Sequence, residues 1–203
     1  GQGRFSEFQA VLKLKGKPLN VAKADLKRIV ENEEIRTIIN VLGTGTRDSF
    51  DIGRLKFHRV IIATDADVDG LHIQCLLLTL FHQEFSDLIE RGHVFIACPP
   101  LYSVKYKGKV VWLLDDEARI QFVKTHADAK ELEFKRFKGL GEMNPKELRD
   151  TMFDPPHRTL KRVTMEDGVL AARLVAELME DENAEARRTF LAEHARKIKE
   201  LDV

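Results

Sequence analysis

"RVIIATDADVDGLH", from Arg59 to His72, sets a short apolar run against three aspartates at alternate positions, Asp65, Asp67 and Asp69, and then a glycine. The apolar run is too short for a helix and is rich in β-branched residues, which suits a strand buried on both faces of a parallel sheet. Aspartate is a poor strand former and is almost never fully buried unpaired, so three of them at the tip of that run need a ligand or a cap. Downstream, "LHIQCLLLTLFHQEFSDLIERG" reads as one long helix closed by Gly92, and "HVFIAC" as a second short buried strand. Strand, helix, strand in that order predicts a βαβ unit and an α/β fold.

Upstream, "FQAVLKL" (Phe8 to Leu14) alternates apolar and polar residues as a half-buried strand would, and "GKP" stops it. "NVAKADLKRIVENEEIRTIINVLGTG" predicts one or two helices whose apolar face is Val21, Ala24, Ile29, Ile35, Ile38, Ile39 and Leu42, ended by Gly43 and Gly45. Beyond the βαβ unit, "PPLYSVKYKGKVVWLLDD" predicts an antiparallel hairpin turning at Lys107 and Gly108, and "EARIQFVKTH" a short helix. "ELEFKRFKGLGEMN" joins another strand to a glycine loop, and "NPKELRDTMF" opens a helix with Asn144 as N-cap and Pro145 in the first turn. Pro155 and Pro156 break the chain, and "VLAARLVAELME" and "EARRTFLAEHARKIKEL" predict two closing helices.

With 203 residues, 43% hydrophobic and 33% charged, the composition is that of a soluble globular protein with one sizeable domain and an appendage. The longest apolar stretch, "CLLLTLF", is too short to span a bilayer, and "GQGRFSEF" has no apolar signal region, so the sequence predicts a cytoplasmic protein. Cys75 and Cys98 fall in predicted core segments and read as packed thiols. The formal net charge is zero but unevenly spread. From Gly1 to Arg28, Arg4, Lys13, Lys15, Lys17, Lys23, Lys27 and Arg28 face only Glu7 and Asp25, which leaves a basic end suited to a polyanion.

The aspartate run matches the opening of a calcium loop, but with Asp65 as its first position the twelfth is Leu76, where such a loop needs a bidentate glutamate. A strand rather than a helix also precedes it. A solvated turn whose aspartates cap the next helix accounts for Asp69 and leaves the other two unexplained. Ligands of open α/β sheets bind outside the carboxyl ends of strands, and residues two apart along a strand project to one side, so Asp65 and Asp67 could share one divalent ion. Carboxylate oxygens with open positions suit Mg²⁺, and hence phosphoryl chemistry.

"TDADVDG" after a strand, with "LKGKPLNVAKA", "NEEIR", "LGTG", "PPLY" and "RFKGLGEMNP" in unbroken order, resembles the B subunit of bacterial type IIA DNA topoisomerases, the gyrase and topoisomerase IV family. The resemblance implies a TOPRIM domain, a Rossmann-like α/β unit with a parallel sheet flanked by helices, followed by a mostly helical C-terminal tail. It divides the chain into residues 1–115, the TOPRIM metal-binding core, and 116–203, which hold the remaining TOPRIM strand, the KGLGEMNP loop and the tail. By position, Asp65, Asp67 and Asp69 match the family's metal site for Mg²⁺, with Mn²⁺ or Ca²⁺ as substitutes. Lys15 and Lys17 match basic residues beside the cleaved DNA, where quinolone-class inhibitors bind in the family, and Arg136 and Lys138 match a loop near the same site. His72, just past the turn, faces DNA or caps the helix.

The implied function is cleavage and religation of double-stranded DNA in an A2B2 assembly, a tyrosine of the A subunit attacking the phosphodiester. Tyr102 and Tyr106 lie in the predicted hairpin and are not expected to be that nucleophile. In the family an "EGDSAGGSA" segment, whose glutamate is both metal ligand and acid or base, comes before the stretch aligned with "GQGR". The expectation is therefore that this chain lacks the family glutamate and takes its tyrosine from the A subunit, so that no catalytic residue is assigned in it, that it is inactive alone, and that ATP enters only through a domain outside it. A TOPRIM-type nuclease or primase-like protein, and a non-catalytic module that docks DNA or the A subunit, are the competing readings.

Overall fold

The computed structural model describes residues 1–126, 128 and 132–179, so the last predicted helix, "EARRTFLAEHARKIKEL", lies outside the described residues. The chain divides into two units, one of residues 1–13, 59–74 and 93–162, the other of residues 14–58, 75–92 and 163–203.

The first unit carries the β structure. Strands β1 (Val60–Ile62) and β2 (Val94–Ala97) pair in parallel, Val60 opposite Val94 and Ile62 opposite Ile96. A parallel pair needs a crossover connection, which here contains α3 (Val68–Glu84) and α4 (Ser86–Glu90). The sheet is mixed rather than purely parallel, because a third strand, β6 (Leu160–Arg162), pairs antiparallel with β2, Ile96 opposite Lys161. Lys161 and Arg162 are exposed, as charges on an edge strand commonly are, and that charge hides the strand from an apolar pattern search.

The hairpin is formed by β3 (Tyr102–Tyr106) and β4 (Lys109–Leu113), with β5 (Phe134–Arg136) on the other side of β3. Lys107 and Gly108 both have positive φ, 47° and 77°, the backbone that a two-residue type I′ turn requires. Tyr102, Val104 and Leu113 are buried under Phe122 and Ala118 of α5 (Asp116–Thr125), whose N-terminus Asp115 caps. The helix α6 (Pro145–Leu148) has the predicted N-terminus: Asn144 Oδ1 accepts the N–H groups of Lys146 and Glu147, and Glu147 Oε2 accepts the N–H of Asn144.

"FQAVLKL" is not a strand. No other strand among the described residues pairs with it, and Val11 and Leu12 are 41% and 42% exposed, so its alternation has no sheet to serve.

The second unit is helical. Asp25 caps α1 (Leu26–Glu31), and Asn32 ends α1 while its side chain caps α2 (Glu33–Leu42), so the predicted region is two helices split by one residue. Ile29, Ile35, Ile38 and Leu42 are buried, and Gly43 at φ 81° closes α2 in the left-handed region. The long helix α3 begins at Val68, before Gly70, and stops at Phe85, whose φ of −140° and ψ of 37° separate it from α4. Leu76, Leu80, Phe85, Leu88 and Ile89 form the apolar core with Val175 of α7 (Met165–Met179). A Cβ at Gly168 of α7 would lie 2.9 Å from His82 of α3, so the two helices meet there closely. Glu84, 3% exposed, is taken by the Arg47 guanidinium through both of its oxygens. No described helix is long and apolar enough to cross a membrane.

Candidate functional site

The aspartate run follows β1 directly. The strand ends at Ile62, so Asp65 and Asp67 stand in a bend and not on a strand whose period would align them. All three aspartates are exposed. Asp67 caps α3: its Oδ1 accepts the Gly70 N–H at 2.7 Å and its carbonyl accepts the Leu71 N–H at 3.0 Å. The cap is therefore Asp67, not Asp69, which lies in the first helical turn where its charge complements the helix dipole.

Asp65 is held from far away. Its Oδ1 accepts the Leu140 N–H at 2.7 Å, across 75 residues, which joins the aspartate run to the glycine loop "KGLGE". Two glycines make this approach possible. A Cβ at Gly70 would lie 2.0 Å from the Asp65 carbonyl oxygen, and a Cβ at Gly139 would lie 2.8 Å from Asp65 Oδ1. At Gly141, by contrast, a Cβ would meet nothing within 4 Å, so packing does not require a glycine there.

The loop closes on itself. Glu142 Oε2 accepts the Lys138 N–H at 2.8 Å, and the Glu142 N–H donates to the Gly139 carbonyl at 3.1 Å. At its base Lys135 of β5 donates to Glu147 of α6 at 2.9 Å. Burial pushes the Glu147 carboxyl up, but the Lys135 hydrogen bond, the Asn144 N–H and the lysine charge outweigh it and leave the group below its ordinary range.

Among the described residues no three His, Cys, Asp or Glu side chains form a group that could enclose a metal ion. Asp65 and Asp67 each spend one oxygen on a backbone N–H, and a carboxylate has two oxygens and about four lone-pair sites, so both keep capacity for a hard cation. A Cβ at Gly139 would fill the cradle in which the Asp65 carboxylate lies.

The predicted basic contacts fall in both units. Arg136 ends β5 opposite Tyr102, and Lys138 follows it into the glycine loop; both are exposed and lie in the same unit as Asp65. His72 is half-buried in α3. Lys15 and Lys17 belong to the other unit, where they flank Gly16, a turn residue at φ 91°. That turn is held by Glu34 of α2, whose Oε1 accepts the Lys15 N–H at 2.7 Å.

Neither tyrosine offers a free phenol. Tyr102 is 6% exposed and donates to Asp116 at 2.8 Å, and its hydroxyl is pushed above its ordinary value by burial and then by Asp116. Tyr106 donates to Asp128 at 3.0 Å and packs edge-on against Phe122. Cys75 and Cys98 are free thiols, as read, and burial pushes Cys75 up.

The Leu140 amide, Gly139 and Glu34 were not singled out from the sequence. Two of these act through backbone atoms, and the only trace in the sequence is the glycine that lets the chain come close.

Residues 2–99 match the Toprim domain model, and residues 129–192 match the model described as DNA gyrase B subunit, carboxyl terminus. Among relatives, the chain is 46% identical over 202 residues to the DNA gyrase B subunit of Haloferax volcanii, covering 100% of this chain and 32% of that protein. The gyrase B subunit of Thermotoga maritima is 46% identical over 202 residues, covering 100% and 31%, and that of Mycobacterium tuberculosis 44% over 207 residues, covering 99% and 30%. The chain thus spans about a third of the length of these relatives. Toprim and gyrase B carboxyl-terminal segments follow one another in it, with the aspartate run in the first and the glycine loop in the second, and on that basis the chain belongs to the B-subunit family of type IIA DNA topoisomerases.

Proposed function

We propose that this chain is the part of a type IIA topoisomerase B subunit that holds Mg²⁺ and the DNA backbone while strands are cut and rejoined. The observation that carries this reading is the hydrogen bond from the Leu140 N–H to Asp65, because it ties the aspartate run to a loop flanked by cationic side chains. Asp65 and Asp67 would hold the ion, with Asp69 beside them. A pair of carboxylates suits Mg²⁺, which keeps waters and takes phosphate oxygens; Mn²⁺ or Ca²⁺ would use the same oxygens. When bound, the ion supplies positive charge beside the scissile phosphate and the leaving oxygen.

The chain's own residues supply contacts to the substrate. Lys15 and Lys17, on their Gly16 turn, and Arg136 and Lys138, at the glycine loop, offer phosphate contacts, and His72 lies along the same helix as Asp69. The nucleophile in this reading is the A-subunit tyrosine, since the phenols of Tyr102 and Tyr106 are occupied in packing and hydrogen bonds. Strand passage coupled to ATP belongs to the rest of the B subunit. Nothing in the site favours a nuclease or primase-like reading.

The test is a detergent-trapped plasmid cleavage assay with a whole B subunit carrying Asp65→Asn and Asp67→Asn, mixed with its A subunit. Covalent breaks in Mg²⁺ should fall to background while DNA binding persists. Undiminished cleavage by the double variant refutes the metal assignment.

A further inference from the structure

Asp65 and Asp67 each use Oδ1 to accept a backbone N–H, but the two bonds differ in kind. Gly70, three residues on, serves Asp67, whereas Leu140, across 75 residues, serves Asp65. The Asp67 bond forms whenever α3 starts. The Asp65 bond forms only when the glycine loop has its folded shape, which Glu142 maintains through the Lys138 N–H.

A carboxylate on its own turns broadly about its last side-chain bond. An N–H on one oxygen restrains that rotation and draws on the electron density of that oxygen, so chelation of an ion by both oxygens competes with the bond while coordination through the other oxygen does not. Ca²⁺ takes carboxylates singly or through both oxygens and tolerates loose geometry, while Mg²⁺ demands a near-ideal octahedron of single oxygens. Groups that orient a ligand in this way tune metal sites strongly.

We propose that the Gly139–Leu140 peptide is a positioning element of the metal site: by engaging Oδ1 of Asp65 it presents that carboxylate through Oδ2, raising affinity and favouring Mg²⁺ over Ca²⁺. This rests on the assignment of Asp65 as a metal ligand. It makes the loop that bears Lys138 responsive to the ion, although no side chain of the loop is itself a ligand. Gly139 is part of the device because a side chain there would push on the carboxylate, its Cβ falling 2.9 Å from Asp65 Cγ.

The backbone allows a clean test. Leu140 opens a short 3₁₀ turn, a position that accepts proline, and Gly139 at φ −161° and ψ 170° has the extended conformation that precedes proline. Leu140→Pro therefore deletes the N–H with little other change, while Leu140→Ala keeps the N–H and deletes the side chain. Binding of Mn²⁺ to the chain is followed by the electron paramagnetic resonance of the free ion, with Mg²⁺ and Ca²⁺ as competitors. Leu140→Pro and Gly139→Ala should weaken Mn²⁺ and Mg²⁺ by about tenfold, the lower end of the usual effect of such supporting groups. Ca²⁺ should suffer less, narrowing the preference, and Leu140→Ala should stay within about twofold of the parent protein. In the parent, Mg²⁺ should shift the Leu140 amide signal together with those of residues 64–70.

If Leu140→Pro binds like Leu140→Ala while Asp65→Asn has lost the ion, the peptide has no positioning role and the proposal falls alone. An Asp65→Asn variant that binds as the parent does overturns the metal assignment as well. Should Leu140→Pro unfold, Gly139→Ala and the Leu140 amide response still decide: an unmoved amide with full binding by Gly139→Ala ends the proposal.

Discussion

Of the carboxylates that meet nitrogen donors in this chain, Glu84 and Asp65 do so to opposite ends. Glu84 is 3% exposed and gives both oxygens to one guanidinium, that of Arg47. Asp65 is exposed and gives one oxygen to one backbone N–H. The first carboxylate has been consumed by folding, since a buried charge is tolerated only when it is paired and hydrogen-bonded. The second has been oriented while keeping acceptor capacity, which is what a ligand needs. In the proposed reading, burial and the number of oxygens that the protein itself uses are what set these two carboxylates apart.

The largest expected effect breaks the comparison on the structural side. Arg47→Ala strands the buried Glu84 charge and should cost about 3 kcal/mol or more in denaturant unfolding. Asp65→Asn, at an exposed position, should cost no more than about 1 kcal/mol and instead abolish the response to Mg²⁺. If the two variants lose equal stability, Asp65 belongs with Glu84 and the distinction fails.

Next comes the backbone approach that frames Asp65. Gly70→Ala adds a Cβ 2.0 Å from a backbone oxygen that cannot swing aside, and should destabilise by about 2–3 kcal/mol despite the better helix propensity of alanine. Gly141→Ala, in the glycine loop, meets nothing within 4 Å and should leave the melting temperature nearly unchanged. Equal effects at both positions would mean that the glycine pattern reflects something other than packing.

The DNA contacts should be felt as a change of slope. Replacing Lys15 and Lys17 with alanine should weaken binding across sequences and reduce the dependence of log K on log salt by roughly one to two, about 0.9 per phosphate contact. Fluorescence anisotropy at several salt concentrations measures this, and an unchanged slope moves the DNA path elsewhere.

The smallest effect is at the base of the glycine loop. Lys135 is half-exposed, so its pair with Glu147 should contribute less than about 1 kcal/mol. The Glu147 carboxyl is depressed in the folded state, so its contribution is present above the unfolded value of about 4.3 and disappears as pH falls through the folded value. Melting temperatures from neutral pH down to about pH 3 should therefore fall less steeply for Lys135→Ala than for the parent. A parallel pair of curves would assign the depression to the Asn144 N–H instead.

Much of the architecture was legible before folding because its determinants are local. The β-branched run before the aspartates, the Lys107–Gly108 turn, the Asn144 and Pro145 helix start and the Gly43 stop all act within a few residues. They appear in the structure where their chemistry predicts. The misreadings are non-local. "FQAVLKL" has the right alternation and no partner strand among the described residues, while β6 has a partner and no apolar pattern. A strand is defined by its neighbour, and neither residue type nor period names one.

The site divides in the same way. The sequence by itself determined that acidic oxygens would gather at the end of a short apolar strand, that glycines would punctuate the loop after Arg136, and that lysines would flank a turn at Gly16. Only the tertiary structure decided that Glu34 holds the Lys15 turn, that Arg47 satisfies Glu84, and that Asp65 meets Leu140. The reason is physical: every residue but proline carries the same backbone N–H, so a bond made by one across 75 residues leaves no mark in the residue that donates it. Its mark is on the neighbour, Gly139, where a side chain would have stood in the way.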